Sequence, residues 1–220
     1  MQQKQIPVAV IGCGGHGRVV MAALIAAGHR VVAATDLFPD RCKKTDPNIE
    51  VMTDEALRTK YAPDKILLSL GIGSVLPTND QSMTYRTVKS FEKLGYRFVG
   101  FTHPTAWVAS GAIVAETSQI HAGAIVQPGA IVGDFSIMNT KSSIDHDCCV
   151  GSFCHICPGA TVSGNVSIGD GSHLGTACTI IQGIRIGSES FVAAGATVVR
   201  DVGDGMSVRG VPAKSFFLRR

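Results

Sequence analysis

Residues 142–175 read SSIDHDCCVGSFCHICPGATVSGNVSIGDGSHLG, and an aliphatic side chain recurs in this stretch at every sixth position. The register extends in both directions, so that all sixteen such positions from Val108 to Val198 hold Val, Ile, Leu or Met. A small residue stands two positions earlier in fourteen of the sixteen cases, the exceptions being Val166 and Ile184. A fixed short period of this kind predicts a parallel β-helix, in which each repeat buries its apolar side chains by stacking on the next.

Small residues have two roles in this pattern. We expect the glycines directly after the periodic aliphatic residue, at positions 133, 151, 169, 175 and 187, to form tight corners between short strands. Three of the seven cysteines, Cys148, Cys154 and Cys178, fall on the small-residue positions, which predicts packing and not disulfides. Cys154 and Cys157 form a CxxC pair, but no second pair lies at zinc-finger spacing, so packing is the favoured interpretation there too.

A different pattern precedes the repeat, because short apolar strands there alternate with glycine turns and helices. Strands are predicted at residues 8–11, 30–35, 65–70 and 97–101, and helices at 19–27 and 83–94. This order predicts a small parallel α/β domain over residues 1–102, resembling half of a Rossmann fold, and a β-helix over 103–220.

The composition excludes several classes of protein. The net charge of +3 is spread along the chain without a basic stripe, so we expect no nucleic-acid partner. The longest apolar stretch near the N-terminus, Val19 to Gly28, is about half the length that a membrane span requires. We therefore expect a cytoplasmic protein with no membrane partner.

The glycine turn suggests a nucleotide. Gly12, Gly14 and Gly17 satisfy GxGxxG, and Asp36 follows the second strand where the ribose-binding acid of a dinucleotide fold would stand. Only four strands are predicted before the repeat, which is too few for two mononucleotide halves, so one nucleotide is expected. A bulky His16 inside the turn would crowd a pyrophosphate, and we expect it to reach the ligand instead.

The six-residue register also places the histidines. His155 and His173 are one coil of three faces apart and should stack, whereas His121 is expected on the surface. His146 should lie beneath Gly164, which leaves room for a ligand above the ring. The acids that flank His146 could hold one ring N–H and leave the other nitrogen as a general base. Since neighbouring strand residues point to opposite faces, Asp147 can do this only if the chain bends there.

Several motifs together resemble a family. In order along the chain they are GCGGHG (12–17), Asp36, GIGS (71–74), NTKSSIDHD (139–147) and RGVPAK (209–214). This order resembles the bacterial hexapeptide sugar acyltransferases, and among them the N-acetyltransferases of nucleotide-linked 4-amino-4,6-dideoxyhexoses of the bacillosamine and perosamine type. Sialic acid O-acetyltransferases are close relatives.

The resemblance implies a left-handed β-helix, a homotrimer with active sites between subunits, acetyl-CoA as donor, no metal, and a role in surface glycan biosynthesis. It implies direct attack of the 4-amino group of a nucleotide-linked sugar, with UDP as the expected nucleotide. His146 matches the general base of the family and Asp147 the acid that orients it. The residues that match acetyl-CoA contacts are His155, Gly164, Thr176 and Ala194. Those that match the nucleotide-sugar pocket are Gly14, Gly15, His16, Asp36 and Gly73, and Asn139 matches an asparagine near the acceptor.

Four alternatives remain open from the sequence. The acceptor could be a sugar hydroxyl, as in the sialic acid enzymes. GxGxxG with Asp36 also fits an NAD-dependent oxidoreductase. A zinc hydratase would require His155 and His173 to converge with a third histidine. In a non-catalytic scaffold, His146 and its neighbouring aspartates would be incidental.

Overall fold

The computed structural model describes residues 6–42 and 46–217 and contains a parallel α/β domain followed by a left-handed parallel β-helix. This confirms the predicted fold class. Within the described ranges, no helix combines the length and the apolar content that crossing a bilayer would demand.

In its described residues, the α/β domain contains five parallel strands, one more than predicted. The strands are β1 (Val8–Ile11), β2 (Val31–Thr35), β3 (Glu50–Met52), β4 (Leu67–Leu70) and β5 (Arg97–Phe98). Their spatial order is β3-β2-β1-β4-β5, and the central β1 is almost fully buried. The sequence did not predict β3, because three residues are too short to show a period.

Three α-helices accompany this sheet in the part of the domain that the structure describes. They are α1 (Gly15–Ala26), α2 (Asp54–Lys60) and α3 (Met83–Glu92), and a short 3₁₀ turn lies at Pro39–Arg41. Thr53 and Ser82 cap α2 and α3 by accepting backbone N–H groups with their side chains. The helix α2 was not predicted, although Thr53 and the two acids after it form a helix start signal.

The β-helix has three parallel sheets of mostly two-residue strands, which we call sheets I, II and III. Sheet I contains Phe101–Thr102, Gln119–Ile120, Ile137–Met138, His155–Ile156, His173–Leu174, Phe191–Val192 and Ser207–Arg209, with Lys214–Ser215 antiparallel at its end. Sheet II contains Trp107–Val108, Ile125–Val126, Ser143–Ile144, Thr161–Val162, Thr179–Ile180 and Thr197–Val198. Sheet III contains Ile113–Val114, Ile131–Val132, Cys149–Val150, Ser167–Ile168 and Arg185–Ile186.

A strand residue pairs with the residue eighteen positions later, as Ile125 does with Ser143 and His155 with His173, except at the last coil, where Phe191 pairs with Ser207. The periodic aliphatic side chains point inward and form one continuous core. Cys148, Cys154 and Cys178 are 1 %, 1 % and 0 % exposed in this core, so the prediction that they pack is confirmed. All seven cysteines are free thiols.

The corner glycines are required for space and not for backbone conformation. The left-handed residue of a corner lies three positions after the aliphatic one, and it is often not glycine, as at Phe135 (φ 56°) and Asp147 (φ 59°). Gly133, one position after the aliphatic residue, has no left-handed φ, but a Cβ there would lie 2.7 Å from the backbone carbon of Gly151. The predicted position of these glycines is correct, and the reason for them is the close approach of successive coils.

The α/β domain packs on sheet I of the β-helix. Phe98 of β5 contacts Phe135 edge to face at 5.5 Å between ring centroids, and Phe135 stacks on Phe153 at 4.9 Å. The loop between β4 and α3 also joins the two parts, since the N–H of Thr78 donates to the carbonyl of Gly171 at 2.7 Å. One outer face of the β-helix is therefore interior to the protein.

His121 lies in this junction and is 1 % exposed, so the expectation of a surface position was wrong. Its ring packs on Phe101 at 4.9 Å and on His16 at 5.5 Å between centroids. The side chain of Gln119 donates from Nε2 to the carbonyl of Leu70 at 2.6 Å, and its Oε1 lies 3.3 Å from His121 Nε2. Periodicity identifies the outer face of a β-helix, but it carries no information on which outer face another domain covers.

Burial keeps these junction histidines neutral. It lowers the pKa of His121 to about 3, and the nearby charge of a protonated His16 acts in the same direction. Burial also lowers the pKa of His16 to about 4, with His155 as the second cause. When the pKa of a histidine is lower in the folded protein than in the unfolded chain, the unfolded chain binds the proton at a higher pH than the folded protein does. The free energy of unfolding therefore decreases as pH falls below about 6.5.

We expect Gly133→Ala to lower the free energy of unfolding by about 3 kcal/mol, because its methyl group would meet backbone that cannot move independently. Gly159→Ala is the matched control. Gly159 has φ +68° and no atom within 4 Å of an added Cβ, so it should lose only about 1 kcal/mol. Denaturant unfolding of both variants at one protein concentration measures the difference, and equal losses would contradict the spatial explanation.

We expect His121→Phe to flatten the dependence of stability on pH. The ring packing is retained and the titrating group is removed, so between about pH 6 and pH 4 the slope should fall by about 1.4 kcal/mol per pH unit. His29→Gln, which changes a histidine outside the junction, should keep the slope of the unchanged protein. Unfolding at a series of pH values measures this, and parallel slopes for all three proteins would rule the explanation out.

Candidate active site

His146 and Asp147 form a charge-assisted pair at the corner between sheets II and III. His146 Nδ1 lies 2.9 Å from Asp147 Oδ2, and both side chains are more than half exposed. The hydrogen bond that His146 Nδ1–H donates to Asp147 is the main cause of a pKa of His146 above its ordinary value, with Asp145 adding to it. Because Nδ1–H faces the carboxylate, Nε2 is left as the basic nitrogen.

The backbone of neighbouring coils holds this pair. Asp147 has φ 59°, which is the bend that lets adjacent residues face each other, and its N–H donates to the carbonyl of Pro128 at 3.1 Å. Asn165 N–H donates to the carbonyl of His146 at 2.9 Å from the coil above. Asp145 accepts the backbone N–H of His146 at 2.8 Å, whereas the ring pairs with Asp147. The geometry therefore favours Asp147 over Asp145 as the acid that orients the imidazole.

Gly164 lies directly above the His146 ring, as the register predicted. A Cβ at Gly164 would lie 2.6 Å from both Nε2 and Cε1 of His146. Among the residues that the structure describes, none accepts a hydrogen bond from the N–H of Gly164. The corner thus offers a basic nitrogen and a backbone donor side by side, which suits proton removal from an attacking group and stabilisation of an oxyanion.

The glycine turn forms the second part of the site. Gly12 has φ +103°, and a Cβ at Gly17 would lie 2.0 Å from the carbonyl oxygen of Gly12, so both positions require glycine. Gly14 and Gly15 have open space around them, and Gly14 caps α1 without any side-chain hydrogen bond. The first N–H groups of α1 are therefore free to meet an anion such as a phosphate.

A cleft of about 540 Å³ continues from this turn along the carboxyl ends of β1 and β2. Asp36 lines it, together with Gly12, Met83 and Arg58. This is the edge at which open parallel sheets bind nucleotides. Arg58 was not predicted as a site residue because its helix, α2, was not predicted; it adds a cation to the cleft.

His155 connects the turn to the β-helix. Its Nδ1 lies 2.9 Å from the carbonyl of Ser74, beside Gly73, and its Nε2 lies 3.0 Å from the side-chain nitrogen of Asn139. The His16 ring is 6.4 Å from it between centroids, and a Cβ at Gly73 would touch that ring at 3.1 Å. The structure thus brings together His16, Gly73, Asn139 and His155, which the sequence predicted separately.

The predicted acetyl-CoA contacts do not converge within one chain. Thr176 and Ala194 are exposed, one coil apart, on the corner between sheets I and II. Gly164 lies on the corner between sheets II and III, so the width of sheet II separates it from them. One chain consequently presents two partial sites, one near His146 and one near His155.

His155 and His173 stack edge to face at 5.1 Å between centroids, which confirms their predicted proximity. In the described part of the chain, they and Cys157 are the one group of three possible metal ligands with donor atoms within 4.8 Å of one another. The third member is a cysteine of the same chain, whereas the hydratase alternative requires a third histidine.

Comparison with known proteins identifies the family. Residues 7–76 match the profile described as the PglD N-terminal domain. The acetyltransferase domain of PglB from Neisseria gonorrhoeae FA1090, solved with acetyl coenzyme A, is 34% identical with a TM-score of 0.85, and the match covers 96% of this chain and 100% of that one.

Perosamine N-acetyltransferase from Caulobacter crescentus, solved with CoA and GDP-perosamine, is 31% identical with a TM-score of 0.85, covering 96% of this chain and 97% of that one. WeeI from Acinetobacter baumannii AYE is 23% identical with a TM-score of 0.76 over 96% of this chain and 99% of that one, and it supports the fold alone. No curated protein sequence matches the chain. At these identities and coverages, the chain belongs to the sugar N-acetyltransferases of the hexapeptide-repeat family.

Proposed function

We propose that the protein transfers the acetyl group of acetyl-CoA to the 4-amino group of a UDP-linked 4-amino-4,6-dideoxy sugar, with His146 as general base, in the biosynthesis of a surface glycan. The observation that carries this proposal is the exposed pair of His146 and Asp147 beneath Gly164. Residues 1–102 bind the nucleotide, and residues 103–220 carry the acyl transfer.

In this proposal the amine nitrogen attacks the thioester carbonyl carbon, the carbon–sulfur bond breaks, and CoA leaves as its thiol after receiving the proton that His146 took from the amine. His146 Nε2 takes the proton that the amine loses, while Asp147 holds Nδ1–H and stabilises the imidazolium. The free N–H of Gly164 is positioned to donate to the oxyanion that develops. No acyl-enzyme and no metal take part in these steps.

The nucleotide is held by the cleft and the N-terminus of α1. Gly14, Gly15 and the backbone of His16 face the phosphates, and Asp36 accepts hydrogen bonds from the ribose or the base. The sugar extends toward Gly73 and Asn139, and His155, Thr176 and Ala194 contact acetyl-CoA together with Gly164. The choice of UDP follows from the resemblance to the bacillosamine type, and the perosamine relative was solved with a GDP sugar.

We propose a homotrimer in which two subunits complete each active site. The α/β domain covers sheet I, and the corner that bears His146 is the one opposite sheet I in a three-sided helix. A sugar bound in the cleft of one chain therefore faces away from its own His146 and toward that of a neighbour. Exposed apolar side chains on the first coils of sheets II and III, Trp107, Ile113, Ile125 and Ile131, are 37–63% exposed and favour such association.

We expect acetyl transfer to a UDP-linked 4-amino-4,6-dideoxyhexose to exceed transfer to the GDP- and dTDP-linked sugars by about tenfold or more in kcat/KM, a difference of about 1.4 kcal/mol. The 4-hydroxy analogue is the control for O-acetylation. Release of CoA measures all four. Faster acetylation of the GDP- or dTDP-linked sugar would show that UDP is not the preferred nucleotide. Faster acetylation of the 4-hydroxy analogue would favour an O-acetyltransferase. If none of the four compounds is acetylated, the proposed function is wrong.

We expect His146→Gln to lower kcat by 10²–10⁴-fold with acetyl-CoA binding retained. Since only neutral His146 is a base, the rate should rise as pH rises through its pKa, and the raised pKa places this limb above the ordinary histidine range. Asp147→Asn removes the main cause of that raised pKa, so the limb should move to lower pH and kcat should fall. Asp145→Asn is the control, with a smaller shift. Near-normal turnover by His146→Gln would show that His146 is not the general base.

The same variant tests whether the site is shared. His146→Gln and Asp36→Ala should each have little activity as uniform assemblies. Subunits of both, unfolded and refolded together, should regain activity because some sites then combine an intact cleft with a neighbour's intact His146. Light scattering should give three times the 23.0 kDa chain mass. If a mixed trimer regains no activity, the cleft and the His146 that act together belong to the same chain, and the shared site is wrong.

A further inference from the structure

Three side chains at the junction form a thiol–imidazole cluster: His155, Cys157 and His173. His155 and His173 occupy paired positions on successive strands of sheet I, and Cys157 follows at the next corner. One donor atom from each lies within 4.8 Å of the others. Cys157 and His173 are each 6% exposed, whereas His155, which contacts Ser74 and Asn139, is half-buried, so the cluster is enclosed and is accessible from the side of His155.

The hydrogen bonds of His155 leave its Nε2 as the nitrogen with a free lone pair for a ligand bond. Nδ1 carries the proton because it donates to the carbonyl of Ser74 at 2.9 Å. A backbone carbonyl on the second ring nitrogen is the arrangement that orients metal-binding histidines. At present the lone pair accepts from the Asn139 side chain at 3.0 Å.

His173 and Cys157 are spaced like two ligands of one ion. His173 Nε2 lies 3.3 Å from Cys157 Sγ. Bond lengths of about 2.0–2.1 Å to nitrogen and 2.3 Å to sulfur put two tetrahedral zinc ligands about 3.5 Å apart. The His173 ring is held by Phe191, stacked at 5.3 Å between centroids, and its Nδ1 has no hydrogen-bond partner among the residues that the structure describes.

We propose that the cluster of His155, Cys157 and His173 is a zinc-binding site, and that Zn²⁺ bound there inhibits the enzyme. Two imidazoles and a thiolate suit Zn²⁺ and do not suit Mg²⁺. The fourth position would be open to water. Binding forms a zinc–sulfur bond and releases the thiol proton to solvent, without any change of oxidation state.

Inhibition follows from the shared histidine and rests on the proposed function. A metal on His155 Nε2 displaces the amide of Asn139, and these are the residues assigned to acetyl-CoA and to the acceptor. The zinc site itself does not depend on that assignment, because its ligands exist whichever sugar is the substrate.

Binding of Zn²⁺ to the full chain tests the site. The purified protein, stripped with a chelator, is titrated with Zn²⁺ against a fluorescent zinc indicator, and Co²⁺ is used as a spectroscopic substitute that reports thiolate ligation. We expect one ion per chain and a cobalt–thiolate absorption band. Cys157→Ser keeps the side-chain size and His173→Phe keeps the ring stack, and each should weaken zinc affinity by about 100-fold or more. Cys149→Ser, an exposed cysteine on sheet III, is the matched control and should bind as the unchanged protein does.

Absence of zinc binding by the unchanged protein, or equal binding by Cys157→Ser and His173→Phe, would overturn the site and leave the cluster as packing. If Cys157→Ser does not fold, His173→Phe gives the same comparison. Acetyl transfer then tests inhibition: Zn²⁺ should inhibit the unchanged protein and Cys149→Ser, and should have at least tenfold less effect on His173→Phe. If Zn²⁺ binds without inhibiting acetyl transfer, the proposed inhibition is wrong and the zinc site stands. If the protein binds Zn²⁺ but acetylates no sugar, the proposed function is wrong and the zinc site stands.

Discussion

The stacking of one coil directly on the next is the constraint on which the rest of this protein depends. Backbone hydrogen bonds join each coil to the next at both strands and corners: Asp145 N–H donates to the carbonyl of Val162, seventeen positions later, at 2.9 Å, and Asn165 N–H to the carbonyl of His146, nineteen positions earlier, at 2.9 Å. A corner residue has no freedom to move without its neighbours above and below. Side chains such as His146 are therefore positioned by backbone on both sides, which is the kind of preorganisation that proton transfer requires.

The three faces of the β-helix have different surroundings, and this explains the arrangement of the site. Sheet I is covered by the α/β domain through aromatic and histidine contacts, so its outward side chains are packed in the interior between the two domains. Sheets II and III retain apolar side chains on their first coils. The cleft lined by Gly12 and Asp36 and the corner that bears His146 lie on opposite sides of this prism.

Much of the β-helix was predictable from the sequence, because the six-residue period assigns each residue to a particular face and coil. It predicted that Gly164 lies over His146 and that His155 meets His173, and both are confirmed. The burial of His121, the strand β3 and the contact of Arg58 with the cleft were not predicted. Each of them depends on how the α/β domain folds and on where it packs against the β-helix. These contacts join segments that are distant in sequence, and the six-residue period does not predict such contacts. The roles of the site residues remain predictions, since proximity alone does not assign chemistry.

The eighteen-residue coil also limits how a β-helix of this kind can vary in length. Adding or removing one residue would exchange inward and outward side chains in every later strand, since these alternate along the chain. Adding six would turn every later corner onto a different face and carry Gly164 away from His146. Only the gain or loss of a whole coil preserves all vertical contacts. Length differences between such proteins should accordingly occur in whole coils, on the C-terminal side of the last residue that touches a ligand.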